Sequence, residues 1–562
     1  MNISKILYRS NQTDSRIMKM RYRRLQIVIF FMVIVVLLIV IRMTYVSIFK
    51  LSNFRNIVNV KHKVYVRKNI IDRNGMIMAS TLPTASAYLY LKYFTNTREY
   101  IDDISKIISI NIKVLEAHIK NKKHFVWLKR HLTPKEQQSL HDLGVPGLYF
   151  INDQKRFYPH KNLFSHTVGL VDVDNKGISG LELQFDKVLK NHSDNINYLQ
   201  TSLDTRIQYI VYDKLSDAVR LHKASGGVAL VMDINNGELI STVSLPDYNP
   251  YNIKNIEDEK LFNRVTLGVY EMGSILKVLT LAIGIDTGVI DVNDCFDVST
   301  PIKINNYSIN DYRGGKGGIL SIPDILVYSS NIGVAKVIQK IGTIRQKEYF
   351  KKLGMLSKNT IELPEKSSSI FPSDNKWKDL CTITMSYGHG IAITPIHLIE
   401  AFSSVVNKGI FNHATLIKKD NAQYNGKRIF SCYTSKVMNN ILKLSAQKGF
   451  AKHANLDEYS VGAKTGTAEK IIKGKYNKNL NIALCAASFP MNDPKYSILV
   501  LVDEPKKNKV NLGFTTGGMI AAPIIADIIS KIAPVLGVPP IINKDLKNTY
   551  DLSIDCTSLK GQ

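Results

Sequence analysis

The sequence predicts an α+β protein: one N-terminal transmembrane helix, a separate middle module, and a larger domain whose mainly antiparallel sheet is flanked by helices. Three observations predict it. Residues 27–41 are an unbroken apolar run. The apolar segments 228–234 and 238–243 flank Asn235-Asn236-Gly237, a strong hairpin signal. Between that hairpin and a closing set of strand-like runs lie several stretches of helical periodicity.

With 562 residues the chain exceeds a single ordinary core. Its net charge is +27 and its pI about 9.6. Nucleic-acid binding is one source of such a surplus. No arginine cluster with interleaved aromatics supports it, so the charge reads as a Lys-, Asn- and Ile-rich composition suited to an anionic envelope surface.

Residues 1–24 form a basic tail, with Lys5, Arg9, Arg16, Lys19, Arg21, Arg23 and Arg24. Residues 25–48 read as one membrane-spanning helix, since a bilayer needs roughly 20 apolar residues. The basic flank predicts a cytoplasmic N-terminus, with everything after about residue 49 facing outward. No small-x-small cleavage pattern follows, which predicts an uncleaved anchor rather than a signal peptide. No second span is apparent, so a bitopic protein is expected.

Residues 49–200 read as a separate module. It opens on the alternating run Lys63-Val64-Tyr65-Val66-Arg67 and a turn at Ile71-Asp72-Arg73-Asn74-Gly75. Helices are expected over 101–120 and 136–143. The larger domain covers 201–540. Helices are expected at 205–221, 274–286, 322–328, 332–341, 395–406 and 518–532. Strands are expected at the 228–243 hairpin, at 482–488 and at 496–502, with 510–514 ambiguous. Residues 541–562 are a polar tail. The five cysteines are scattered, odd in number and without C-x-x-C, which predicts neither a disulfide framework nor a zinc site.

The chemistry lies in three motifs in order: Ser274-Ile275-Leu276-Lys277, Ser329-Ser330-Asn331 and Lys464-Thr465-Gly466-Thr467. The first two are cheap alone. Ser373-Asp374-Asn375-Lys376 also fits S-x-x-K, while Ser308-Ile309-Asn310 and Ser357-Lys358-Asn359 fit S-x-N. Lys-Thr-Gly occurs once, and order and context carry the weight.

Ser274 opens an apolar helix with Lys277 one turn on. A serine hydroxyl needs a base, and an ordinary lysine is protonated at neutral pH. Burial among Ile275, Leu276, Val278 and Leu281 would lower its pKa. Ser329 is suited to relay a proton and Asn331 to bond a substrate amide; the bland alternative is helix capping. Lys464, Thr465 and Thr467 offer a cation and two hydroxyls to a carboxylate. Gly466 is read as leaving room for substrate along the strand edge. The Thr467 amide, paired with that of Ser274, would make an oxyanion hole, often worth roughly 10²–10³-fold in rate. An isolated Lys-Thr-Gly would instead be a turn with a solvated lysine.

With these residues in view, the chain resembles class B penicillin-binding proteins, most closely the division-specific septal type. Arg67 through Gly75 is similar to that family's R-x-x-I-x-D-R-N-G opening. Arg156-Phe157-Tyr158-Pro159, His166 and Gly180-Leu181-Glu182 resemble its pedestal pattern, and Leu203-Asp204-Thr205-Arg206-Ile207-Gln208 its domain entry. Asn263-Arg264 and Tyr270-Glu271-Met272-Gly273-Ser274 resemble its nucleophile segment. Ser386-Tyr387-Gly388-His389-Gly390, Thr394-Pro395 and Asp503-Glu504-Pro505 fit as well. Met272 replaces the usual proline, and Ile275-Leu276 the usual Thr-Phe.

The resemblance implies a pedestal, dimerisation-like domain followed by a penicillin-binding transpeptidase domain. It implies Ser274 as nucleophile, Lys277 as base, Ser329 and Asn331 as relay and substrate contact, and Lys464 through Thr467 as clamp and oxyanion donor. The implied reaction cross-links peptidoglycan stem peptides through a serine acyl-enzyme, without metal or organic cofactor, and β-lactams are implied covalent inhibitors. Implied partners are a lipid-linked-glycan polymerase and other septal membrane proteins, at the bacterial inner membrane with the catalytic domain periplasmic. Rival readings are an elongation-specific class B enzyme, a D,D-carboxypeptidase or β-lactamase, and a non-catalytic scaffold or β-lactam sensor. No stretch large enough for a glycosyltransferase precedes the pedestal, which argues against the bifunctional class A type.

Overall fold

A computed structural model describes residues 3–45, 66–94, 98–121, 124–191, 196–253, 258–304, 307–419, 426–472 and 474–541. It divides into two units after Tyr65. In the first, α1 runs unbroken from Ile3 to Tyr45, so the basic segment continues the helix instead of preceding it. Its part Met18–Tyr45 is long and apolar enough to cross a membrane. At 1.5 Å per residue, that part is about 42 Å long. Residues 46–48 of the expected span lie outside the described residues, as do 542–562 of the expected tail.

The second unit begins with a small α/β domain. Its elements are β1 (Asn69–Ile71), β2 (Ile77–Tyr90), α2 (Arg98–Ile108), α3 (Ile112–Asn121), β3 (Phe125–Leu132), α4 (Pro134–Asp142), β4 (Leu148–Phe157) and β5 (Tyr198–Gln200). The sheet order is β3-β2-β1-β5, with β4 also on β2. Only the β1–β5 pair is parallel. Of the expected strand 63–67, residues 63–65 lie outside the described ones, and the ladder starts at Asn69. The Asp72 turn forms as expected: its Oδ1 accepts from the amides of Asn74 (2.8 Å) and Met76 (2.9 Å). The expected helix 101–120 is two helices. Ser109 takes a left-handed φ of 54°, and the Asn111 side chain accepts from Lys113 N, which starts the second helix. A capping box of Thr133 and Glu136 starts α4.

A buried ion cluster ties this domain together. Glu182, fully buried, accepts from Arg67 Nε (2.6 Å) and Arg156 Nε (2.7 Å). Arg67 also reaches the Glu182 carbonyl (2.6 Å) and Asp186 (2.6 Å). Arg156 donates to Thr81 Oγ1 and the Arg67 carbonyl. Charges this far from water need such pairing, and Arg156 Nη2 alone in this group of side chains is left without a partner.

The larger domain starts with α5 (Thr205–Leu221), capped by Asp204. Then come β6 (Gly226–Asp233), β7 (Leu239–Leu245), β8 (Tyr270–Glu271), α6 (Leu276–Asp286), α7 (Ile322–Val327), α8 (Asn331–Ile341), β9 (Ala392–Ile393), α9 (Pro395–Val406), α10 (Cys432–Lys448), β10 (Gly462–Ile472), β11 (Lys475–Phe489), β12 (Tyr496–Asp503) and α11 (Ala521–Val535). The main sheet is antiparallel throughout, in the order β10-β11-β12-β6-β7. Alternation divides its side chains between two cores. Ala229, Val231, Cys485, Ile498 and Val500 pack under α5 and α11. Val228, Leu230, Leu484, Leu499 and Leu501 pack against the helical insert, where α6, α9 and α10 supply Leu279, Phe402 and Ile441.

Residues 510–514 form turns, not a strand, and α11 starts three residues later than expected because 516–520 are spent in a turn. The scattered cysteines predict no disulfide framework, yet Cys295 is disulfide-bonded. Cys381, Cys432 and Cys485 are free thiols. Spacing along the chain does not record which thiols meet in space.

Candidate active site

The site is built where the insert meets β10. Strand β8 pairs with β9, and the chain then tightens into a 3₁₀ turn at Gly273–Ile275 before entering α6. Ser274 sits in that turn, half-buried. Lys277 lies in the first helical turn, fully buried at 0% exposure. Helix α6 is apolar on nearly every face and runs through the core, which is why its lysine has no water.

The Lys277 ammonium nitrogen donates to the carbonyl of Ser329 and, at 3.2 Å, to Ser329 Oγ. From β10, Lys464 Nζ donates to the same Oγ at 3.0 Å and to the Thr465 carbonyl at 3.1 Å. Ser329 Oγ therefore lies between two lysine amines. Ser329 joins α7 to α8 with a left-handed φ of 55°, costly for a residue with a Cβ and sustained by its surroundings. Capping, the bland reading of this motif, falls to its middle residue: Ser330 Oγ accepts from Gly333 N at 2.9 Å. Asn331 Nδ2 donates to the Asn310 carbonyl at 2.9 Å.

Burial, and next the charge of Lys464, push the Lys277 amine well below the usual lysine range, while Asp311 opposes the shift. Burial lowers Lys464 to about 8. Burial thus disfavours the charged form of both amines, and the charge of Lys464 adds to this at Lys277. Lys464 is 1% exposed, so the solvated-turn reading of Lys-Thr-Gly does not hold.

Strand β10 also packs on the Ser274 turn. A Cβ on Gly466 would lie 2.6 Å from the Met272 carbonyl oxygen and 3.0 Å from Leu484 Cγ. The glycine therefore makes room for the nucleophile turn. A Cβ on Gly273 would stand 2.6 Å from Thr467 O and 3.1 Å from Thr467 N, which brings that amide to the Ser274 turn. Thr467 Oγ1 accepts from Gly517 N at 3.1 Å. Thr465 pairs across the strands with Cys485 and is buried on that face, opposite Lys464.

Of the decoy motifs, Asn310 reaches the site through its carbonyl, which accepts from Asn331 Nδ2. Ser373 and Lys376 are exposed in a local turn, with Lys376 N on the Ser373 carbonyl. Ser308 and Asn310 flank the end of a two-stranded hairpin, Ile302–Ile304 with Tyr307–Ile309. Two acids escaped the sequence reading. Asp311 accepts from Ser330 Oγ (2.7 Å), Asn331 N (2.5 Å) and Ile332 N (3.0 Å). Glu271 accepts from Gly390 N (2.8 Å) and Tyr476 OH (3.1 Å), with His389 Nδ1 at 3.0 Å. Neither has a spacing to its partners that a single sequence displays. Among the described residues, no group of three or more His, Cys, Asp or Glu is placed to hold a metal.

Residues 227–530 match the penicillin binding protein transpeptidase domain, and residues 65–211 the penicillin-binding protein dimerisation domain. Fold and site thus define a two-domain penicillin-binding protein. The probable peptidoglycan D,D-transpeptidase FtsI of Caulobacter vibrioides is 32% identical over 484 residues, 84% of this chain and 82% of that protein. The peptidoglycan D,D-transpeptidase FtsI of Escherichia coli K12 is 25% identical over 504 residues, 84% of each. The crystal structure of penicillin binding protein 3 from Mycobacterium tuberculosis, complexed with aztreonam, has a TM-score of 0.66 at 20% identity. It covers 85% of this chain and 97% of its own. The chain belongs to this family, the class B penicillin-binding proteins that are peptidoglycan D,D-transpeptidases.

Proposed function

We propose that the protein cross-links peptidoglycan stem peptides through an acyl-enzyme on Ser274. The observation that carries this is the meeting of Lys277 and Lys464 at Ser329 Oγ, one helical turn from Ser274. Neutral Lys277 takes the Ser274 proton as Oγ attacks the carbonyl between two terminal D-alanines. The oxyanion faces the amides of Ser274 and Thr467. Collapse breaks the peptide C–N bond. The leaving D-alanine nitrogen takes the proton back from Lys277, relayed through Ser329. A neighbouring stem amine then attacks the ester and loses its proton to the same base, which returns it to Ser274 Oγ as the ester C–O bond breaks. Charged Lys464 holds the substrate carboxylate end, with the β10 edge at Gly466 and Thr467 beside it, and Asn331 bonds the stem amide. No metal or organic cofactor has a part. The fold neighbour's complex with aztreonam supports β-lactam binding here, and covalent trapping of Ser274 is what the acyl-enzyme reading expects.

After labelling of the full-length protein with a fluorescent penicillin, the adduct is expected on the peptide holding Ser274. The labelling rate should rise with pH as Lys277 loses its proton, then fall through about 8 as Lys464 loses its own; the two limbs belong to the pair. An adduct on Ser373, or a rate flat across both limbs, would refute the assignment.

Helix α1 supports a single-pass inner-membrane anchor, and its basic flank a cytoplasmic N-terminus with a periplasmic catalytic domain. The division reading rests on resemblance and on the FtsI relatives. It places the protein at the septum with a lipid-linked-glycan polymerase and other septal membrane proteins. A fluorescent fusion should gather at midcell, and depletion in a rod-shaped host should give filaments. Rounded cells with label along the side wall would assign it to elongation instead.

A further inference from the structure

We propose that Asp311 is a positioning residue for acylation: its carboxylate holds the Ser329–Asn331 turn in the arrangement that sets Ser329 Oγ between Lys277 and Lys464. The inference rests on the acyl-enzyme reading above. Three donors of one short turn converge on this carboxylate, which is 8% exposed: Ser330 Oγ on one oxygen, the amides of Asn331 and Ile332 on the other. The two amides open the eleven-residue helix α8, where a negative charge is favoured. The same turn holds Ser329 at its left-handed φ, a conformation persisting only where neighbours over-determine it. Ser330 is bound from both sides, donating to Asp311 and accepting from Gly333 N. Without the carboxylate, two backbone amides and a hydroxyl lose their acceptor together, which leaves the turn to Ser329 N on the Leu326 carbonyl, Ser330 N on the Ile325 carbonyl and the lysine contacts. The charge of Asp311 also acts on Lys277, against that of Lys464.

The test is Asp311→Asn in the full-length protein in detergent, with labelling rate followed across pH beside a melting curve. The maximal acylation rate is expected to fall roughly 10- to 100-fold, with the non-covalent binding constant nearly unchanged. The acid limb should move to lower pH, because Lys277 loses an anion that favours its charged form. A folded variant with the wild-type rate and limb overturns the proposal. So does a limb moved to higher pH, the mark of water reaching a loosened Lys277. Should Asp311→Asn fail to fold, Gly315→Ala carries the test. Its Cβ would stand 2.7 Å from Asp311 Cβ and 2.8 Å from Oδ2, at a φ of 62°. It displaces the carboxylate and keeps the charge, so the rate should fall with the limb in place; an unchanged rate in folded protein overturns the proposal. Ser274→Ala separates the two readings. If it still labels, the acyl-enzyme assignment fails; if it is inert and Asp311→Asn behaves as wild type, only the positioning role fails.

Discussion

Lys277→Ala is expected to lose roughly 10³- to 10⁴-fold of the acylation rate while the domain stays folded. The lysine reaches Ser329 from the first turn of a helix buried throughout, and burial holds its amine well below the usual lysine range. A neutral amine in that place is a base; an alanine is not. Removing the amine also removes a group that the core desolvates, so the lost contact and the relieved desolvation partly cancel in stability. Melting temperature and fluorescent-penicillin labelling are to be measured on the same preparation. A folded variant that labels at the wild-type rate would show that another group accepts the Ser274 proton. Loss of folding would leave the rate unread, and Lys277→Met, which fills the same space, then replaces it.

Glu182→Ala should cost the small domain about 3–5 kcal/mol. The carboxylate is fully buried between Arg67 and Arg156, with a contact of 2.7 Å or less to each. Truncation leaves two guanidinium groups facing each other with only carbonyls, Thr81 and Asp186 to hold them. A thermal melt, with limited proteolysis to locate the loosened region, checks this. A melting curve and cleavage pattern like the wild type would mean that the arginines find other partners at little expense. Penicillin labelling at low temperature should persist, because the cluster lies outside the Ser274 site.

Much of the larger domain was legible because its signals are local. Periodicity located Thr205–Leu221 and Pro395–Val406 to the residue, and the Asn-Gly turn located the β6–β7 hairpin. Helix α10 was not legible. Its buried face, Met438, Ile441, Leu442, Ser445 and Ala446, mixes polar with apolar residues and gives a weak period. The long β2 was missed for another reason: strands on both its sides share its length, and Pro83, Thr84 and Ser86 interrupt the alternation. In the site, motif order singled out Ser274, Lys277, Ser329 and Lys464, because catalytic types recur in recognisable triplets. The purpose of Gly466 and the presence of Asp311 were beyond it. Both depend on which atoms approach across more than a hundred residues of chain or across a loop, and one sequence does not encode those approaches locally.

The strand order of the main sheet bears on how the protein is made. Strand β6 pairs on one edge with β7, its immediate successor, and on the other with β12, so that Asp233 waits for Tyr496. During synthesis the early hairpin emerges with one long edge open, and the whole helical insert must follow before that edge is covered. Contacts of such separation close slowly, and an open edge invites pairing with another chain. A nascent chain stalled anywhere before β10 also lacks Lys464, so Ser329 has one amine beside it instead of two. The surroundings of Ser329 are therefore complete only when the last strands arrive, a built-in delay between synthesis of the first motifs and assembly of the site.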